Sequence, residues 1–307
     1  VSSKRVEVDA EEERMDHDVT MDIRFWGVRG SIASPGESTA RTGGNTSCVE
    51  VRCGERVIAL DAGTGLRGLG DVLLREATRA GRSVELTLLL SHLHWDHIQG
   101  LPFFAPIYMP GTRIHVAGPA APELSLRDAL AQQMRPPTFP VLFEDLPSHL
   151  ETRALRHLSQ LQLGDVTVRA AKLNHPGGAV LAFRIDWCGR SVVYATDTEH
   201  YACVDPVLAK LAHGADVLIY DAQYLPEEYR GEVGMSRLGW GHSTYEAGAE
   251  LAAAAGVGML VLFHHDPTRD DAGVEALEAR AQSLFPQTEA AREGRTLRLA
   301  VPRREAA

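Results

Sequence analysis

Four side chains able to bind a metal ion crowd into one short stretch, Ser91-His92-Leu93-His94-Trp95-Asp96-His97. In an extended segment, residues two apart point the same way, so His92 and His94 can close on one cation. Asp96 and His97 lie past the turn and can close on a second. A pair of bound cations suits hydrolysis, because together they hold substrate oxygens and lower the pKa of a shared water toward neutrality.

Such a loop needs a rigid base. The apolar run 84–90 reads as a buried strand that ends where the histidines begin. The same placement recurs: His175 follows a strand at 166–172, Asp197 follows one at 191–195, Asp221 follows one at 216–220, and His264 follows one at 257–263. Side chains held on one rim of packed sheets can converge. Around them the pattern predicts strands at 21–28, 47–52, 56–60, 113–117, 151–155 and 180–187, with a short edge strand at 296–301. Helical spacing covers 66–80, 123–134, 245–255 and 272–284, and a short helix begins at 98 and stops by 105 at Pro102 or Pro106. Ser243 or Thr244 is available to cap the helix at 245. The turn Asp61-Ala62-Gly63-Thr64-Gly65 is read as a brace for the metal loop, Asp61 supporting rather than touching substrate. The segment 136–147, with three prolines in its first five positions, is read as an irregular rim or lid.

Length and composition narrow the class. A chain of 307 residues, 44% hydrophobic, can bury a large core without disulfides. Its four cysteines show no paired spacing; Cys48 and Cys188 read as small buried thiols, and a reducing cytoplasm is the expected compartment. No apolar run reaches the length of a membrane span. Residues 1–20, with seven acidic and three basic side chains, are expected to form a disordered tail ahead of one domain at 21–307. A net charge of −10 with no dense cluster of Lys or Arg argues against long nucleic acids as partners.

In order along the chain stand Gly27-Val28-Arg29-Gly30-Ser31, Gly43-Gly44-Asn45-Thr46-Ser47, the Asp61 turn, the metal loop, and Gly241-His242-Ser243-Thr244 ahead of Leu262-Phe263-His264. With these, the sequence from 21 to about 301 resembles the metallo-β-lactamase superfamily, and within it the phosphodiesterase branch of ribonuclease Z, PhnP-like and cyclic-nucleotide phosphodiesterases. The resemblance implies an α/β fold, a four-layer αββα sandwich of two pseudo-repeated halves. It implies His92, His94 and His175 on a first metal, Asp96, His97 and His264 on a second, and Asp197 bridging them. Imidazole with carboxylate suits zinc, and manganese or iron would also be accommodated. His264 is favoured over its neighbour His265 by its place after the final strand. His200 and His213 are assigned to the surface or the site rim, and His115, His149 and His157 to structural roles.

On that branch a histidine before Ser-Thr acts on the phosphate with help from an acidic residue, which here implies His242 and Asp221, with Asp96 or the metals orienting the attacking water. The expected activity is cleavage of a small phosphodiester, a cyclic nucleotide among the candidates, by water that two cations activate. After the last ligand the sequence departs from ribonuclease Z: His264-His265-Asp266-Pro267 stands where that family has serine and an arginine-tyrosine pair, and no long basic arm for tRNA is evident. The alternatives are a same-fold hydrolase of a lactone, carboxylic ester or thioester, and a non-catalytic ligand-binding protein that keeps the metals. The expected partner is a small-molecule phosphodiester, with no membrane; a homodimer is one option for the assembly.

Overall fold

The computed structural model describes residues 19–119 and 124–302. Strands β1 (Thr20–Gly27), β2 (Cys48–Cys53), β3 (Arg56–Leu60), β4 (Glu85–Leu89), β5 (Arg113–Pro119) and β6 (His149–Leu155) form one sheet, which β14 (Thr296–Ala300) completes by pairing antiparallel with β1. A second sheet takes β7 (Gln160–Leu163), β8 (Val166–Leu173), β9 (Val180–Trp187), β10 (Arg190–Ala195), β11 (Val217–Asp221), β12 (Met259–Phe263) and β13 (Thr288–Ala290). Helices α1 (Leu66–Ala80), α2 (Trp95–Ile98) and α3 (Leu126–Gln132) belong to the first half. Helices α4 (Pro206–Ala212), α5 (Pro226–Arg230), α6 (Tyr245–Ala255) and α7 (Asp271–Gln282) belong to the second.

Period-two alternation in the strands builds the layers. Along β11, Val217 and Ile219 turn inward, where they join Ile23, Phe25 and Ile58 of the first sheet and Phe183 and Phe263 of the second in the core between sheets. Leu218 and Tyr220 turn outward and meet Leu208 of α4, Leu251 of α6 and Leu277 of α7. On the other side, Leu66, Leu69 and Leu73 of α1 cover Leu86 and Leu88 of β4. The result is the αββα sandwich, and because both faces of the central strands are covered their sequences read as nearly continuous apolar runs.

Strand direction then places the site. β3 through β6 run parallel, as do β10 through β13. Parallel neighbours need crossovers, which α1 and α6 supply, and their carboxyl ends therefore share one edge of each sheet. Thr244 caps α6, its Oγ1 accepting from Ala247 N, and Gly256 closes the helix in the left-handed region.

Several expectations need correction. The first strand starts at Thr20, inside the segment expected to be a tail; residues 1–18 of that segment lie outside the described residues. The helix after the metal loop begins earlier, at Trp95, and 98–105 is not one helix. Pro102 and Pro106 each open a short 3-10 turn, Leu101–Phe103 and Ala105–Tyr108, because a proline lacks the N–H a continuing helix would need. The helix expected over 123–134 spans Leu126–Gln132, capped by Ser125, and its expected first residue lies outside the described residues. Cys188 is exposed, not buried, since it sits in the tight β9–β10 turn at φ 47°. The short β7, β13, α4 and α5 escape sequence reading because three to seven residues give no usable period. The segment 136–147 is irregular apart from a 3-10 turn at Phe143–Asp145, where Phe143 is buried; Phe139 meets Phe103 edge-on in the wall of a groove of about 800 Å³ that Trp95 also lines. Among the described residues, no helix is long and apolar enough to cross a membrane.

Gly100 locks the metal loop to the Asp61 turn: its N–H donates to Ala62 O at 2.8 Å, and a Cβ there would overlap the Gly63 carbonyl. Gly100→Ala is expected to destabilise the fold by about 1–3 kcal/mol, read as a lower midpoint in urea unfolding. An unchanged midpoint would show that the turn yields freely.

Candidate metal centre

Asp61 is the hub beneath the metal loop. It follows β3 at φ 62°, is fully buried, and accepts from four donors: Ser91 N and Ser91 Oγ at 2.7 Å, and Tyr194 OH and His97 Nδ1 at 2.8 Å. Tyr194 comes from the second sheet, so the two halves are pinned together directly under the loop. This is the bracing role expected of Asp61.

The hydrogen bonds fix which nitrogen of each imidazole faces inward. Ser91 Oγ spends its proton on Asp61, so at 3.0 Å it accepts from His92 Nδ1. His97 Nδ1 donates to Asp61, His264 Nδ1 to Gln223 Oε1 at 2.9 Å, and His175 Nδ1 to Gly241 O at 2.7 Å. In the neutral state, four Nε2 lone pairs are therefore bare and aimed into one volume. The Nε2 of His92 is buried with no hydrogen-bond partner among the described residues, and those of His97 and His264 stand 3.3 Å apart.

Three overlapping donor groups result among the described residues; one joins Asp197 and His264 to the outer pair Asp221 and His242, and the other two make up the cluster proper. His92, His94, His175 and Asp197 form one, with His175 Nε2 3.2 Å from His94 Nδ1. Asp96, His97 and His264 form the other, with Asp96 Oδ2 3.2 Å from His97 Nε2 and 3.3 Å from His264 Nε2. Asp197 serves both. Its Oδ1 lies 3.2 Å from the Nε2 of His97 and of His264, and its Oδ2 lies 3.6 Å and 4.0 Å from those of His92 and His175. All seven side chains singled out in the sequence are thus brought together. Asp197 and His264 reach their positions through left-handed backbone at φ 52° and 61°, strain of the kind found where side chains must be aimed.

Lone pairs and carboxylates packed this way fit divalent cations, each group offering imidazole nitrogens plus carboxylate oxygen. With no cation bound, charged imidazoles balance the carboxylates, and cations that displace the Nε2 protons would take over that role. Burial works against ionising Asp197 and Asp96, yet His264 and His97 beside Asp197, and His97 first beside Asp96, hold both well below the usual carboxylate range. Burial and the neighbouring His97 push His92 well down, so that it stays a neutral donor.

Asp221 and His242 lie just outside. His242 Nδ1 donates to Asp221 Oδ2 at 2.8 Å, and Asp221 Oδ1 accepts from Gln223 N and Ser243 N. His242 stacks on His264 with ring centres 4.9 Å apart and stands 3.9 Å from Asp197. Burial opposes its charge, but Asp221 overcomes that and pushes its pKa up to about 9.

The other candidates sort cleanly. His265 is buried with Nε2 donating to Ala291 O, away from the cluster, and burial pushes its pKa down to about 3. His200 is half-buried and bonds Ser243 Oγ, while His213 is exposed. His115 and His149 bond Glu151 on the outer surface, and His157 accepts from Lys172 N. Among the aromatic side chains of the metal loop and the other loops, Phe143 and Tyr224 are buried, whereas Trp95 and Trp240 are 76% and 47% exposed. Sequence reading missed Gln223 and Glu199. Gln223 stands two residues past Asp221, but no pattern tells that its amide oxygen turns to His264.

Asp61→Ala would free both His97 and Ser91. It is expected to weaken cation binding about 10–100-fold, measured by competitive titration with zinc; an undiminished affinity would show that the cluster needs no such brace.

Residues 56–265 match the family model described as Beta-lactamase superfamily domain. The chain is 30% identical over 270 residues to a protein named Ribonuclease Z from Mycobacterium sp. (strain KMS), covering 83% of this chain and 88% of that one. Among solved structures, the metallo-β-lactamase fold protein YhfI from Bacillus subtilis aligns with a TM-score of 0.66 at 20% identity, covering 90% of this chain and 99% of the other. A diphosphatase from the PhnP family aligns at 0.64 and 17% identity, covering 92% and 98%. The two structures establish the fold, and the family model with the 30% relative establishes descent. The chain belongs to the β-lactamase superfamily, as a metallo-hydrolase on the branch that includes ribonuclease Z.

Proposed function

We propose that this protein hydrolyses a small phosphodiester, with a cyclic nucleotide among its candidate substrates, using two divalent cations held by His92, His94 and His175, by Asp96, His97 and His264, and by Asp197 between them. Zinc suits this donor set best, and manganese or iron could take its place. The observation that carries the reading is the His242–Asp221 pair. A phosphodiester is anionic before it reacts, whereas an ester or lactone is neutral, so an imidazole that Asp221 keeps protonated beside the cation site suits the phosphodiester: it meets the charge on the phosphoryl oxygens and can protonate the departing one.

When bound, the cations would supply Lewis-acid stabilisation of the phosphoryl oxygens and lower the pKa of the attacking water. The protein's own groups do the rest. Ser31 N donates at 2.8 Å to Asp96 Oδ2, the oxygen that faces His97 and His264, and so fixes the carboxylate where it can help orient the attacking water. Asp221 holds His242 through Nδ1, so Nε2 points away from the pair and can donate to a phosphoryl oxygen and pass a proton to the leaving group. Trp95 and Trp240, exposed beside this machinery, offer flat faces to the organic part of the substrate.

The relative named Ribonuclease Z supports phosphodiester chemistry, and the PhnP-family likeness supports the scaffold that carries it. A small substrate fits better than a folded RNA, since 41 acidic side chains outnumber 31 basic ones and phosphate-backbone binding needs a basic surface. Cys48 and Cys53, buried as free thiols, fit a reducing cytoplasm.

The test is turnover of bis(p-nitrophenyl) phosphate and of 2′,3′- and 3′,5′-cyclic nucleotides by the zinc- or manganese-loaded protein. His242→Ala is expected to lower kcat on these substrates about 10²–10⁴-fold with cation stoichiometry unchanged. Absence of phosphodiester turnover together with brisk cleavage of lactones or thioesters, insensitive to His242→Ala, would overturn the substrate class.

A further inference from the structure

Two residues past Asp197, a second carboxylate is buried with no cationic side chain pairing with it among the described residues. Glu199 is 1% exposed and is closed in by three donors: Tyr229 OH at 2.8 Å and Gly239 N at 2.6 Å reach Oε1, and Gly241 N at 2.9 Å reaches Oε2. A carboxylate survives in such surroundings only when its oxygens are satisfied. We propose that Glu199 is a positioning residue, which clamps the loop at 239–242 and through it orients His175 toward the first cation.

The link is one residue long. Gly241 gives its N–H to Glu199 and its carbonyl to His175 Nδ1. It sits at φ 87°, and a Cβ there would overlap both His175 Nδ1 and Pro176 Cδ, so glycine is required for this close approach. His200 adds a second hold on the same loop: Nδ1 bonds Ser243 Oγ at 2.9 Å, and the ring lies 4.4 Å from that of Tyr229. The segment 197–200 thus sends Asp197 into the cluster and Glu199 with His200 to the loop bearing Gly241 and His242.

Packing does not hold that loop by itself. Val233, Met235 and Leu238 are 62%, 71% and 59% exposed, leaving little apolar burial to fix the backbone before Gly241. His175 in turn stands in a β8–β9 connection with Gly177 and Gly178 at φ 84° and 157°. Its imidazole takes direction from the Gly241 carbonyl, and a metal-binding imidazole whose far nitrogen loses its acceptor binds less tightly.

This inference rests on the reading that His92, His94 and His175 hold one cation. It is tested by competitive zinc titration of the full chain, with cobalt spectra to tell the two sites apart. Glu199→Gln turns an amide N–H toward backbone N–H donors, so the clamp is broken at almost constant volume. The wild type is expected to bind two ions. The variant should keep the ion at Asp96, His97 and His264 and bind the other about 10–100-fold more weakly. Tyr229→Phe removes one donor and leaves the carboxylate, and should shift the same site in the same direction by less; it carries the test should Glu199→Gln fail to fold. Unchanged affinities, or equal losses at both sites, would overturn the positioning role. A wild type that binds fewer than two ions would overturn the parent reading and the inference with it.

Discussion

Everything at this site turns on one carboxylate presenting its two oxygens in two directions. Asp197 Oδ1 faces His97 and His264 while Oδ2 faces His92 and His175. The imidazoles on its two sides come from the metal loop of the first half and from strand ends of the second. An unbalanced charge at such depth would be expensive, and opposite charges nearby are what make it tolerable. The cluster therefore holds its geometry only while both halves are docked, and the inter-sheet core built around Phe25, Phe183 and Phe263 keeps them so.

A second ring of partners turns a collection of ligand-type residues into an ordered set. Asp61, Gln223, Ser91 and the Gly241 carbonyl each take the Nδ1 proton of one imidazole, which fixes the tautomer and leaves Nε2 bare. The glycines of the turns around the cluster serve the same end. Gly30, for example, has no room for a Cβ because the His264 ring lies against it. Arg29, fully buried, ties the loop at 29–43 to the carbonyls of Asp266 and Arg269 just past His264. The functional groups are few, and most of the surrounding polar structure serves to aim them.

Much of this was legible in order along the chain. The metal loop announces itself by ligand density, and strand ends at Asp197, Asp221 and His264 follow from apolar runs that stop abruptly. The helices Leu66–Ala80 and Tyr245–Ala255 follow from spacing and caps. Less legible were the short elements and the prolines, since Pro102 and Pro106 open turns where the pattern suggested a single helix. Glu199 was invisible as well: an acidic residue after a strand looks like any surface carboxylate until its three donors, which lie 30 to 42 residues downstream, are brought to it.

The sequence alone determined the kind of chemistry, because residue type and strand-end placement are local properties and the ligand-type residues carry their donor atoms wherever they fold. Tertiary structure alone decided which atom faces which. The inward nitrogen of His97, His175 and His264, the direction each Asp197 oxygen takes, and the burial of Glu199 against its three donors all depend on partners far away in sequence. Those partners meet only when two seven-stranded sheets pack face to face with their parallel strand ends on one rim.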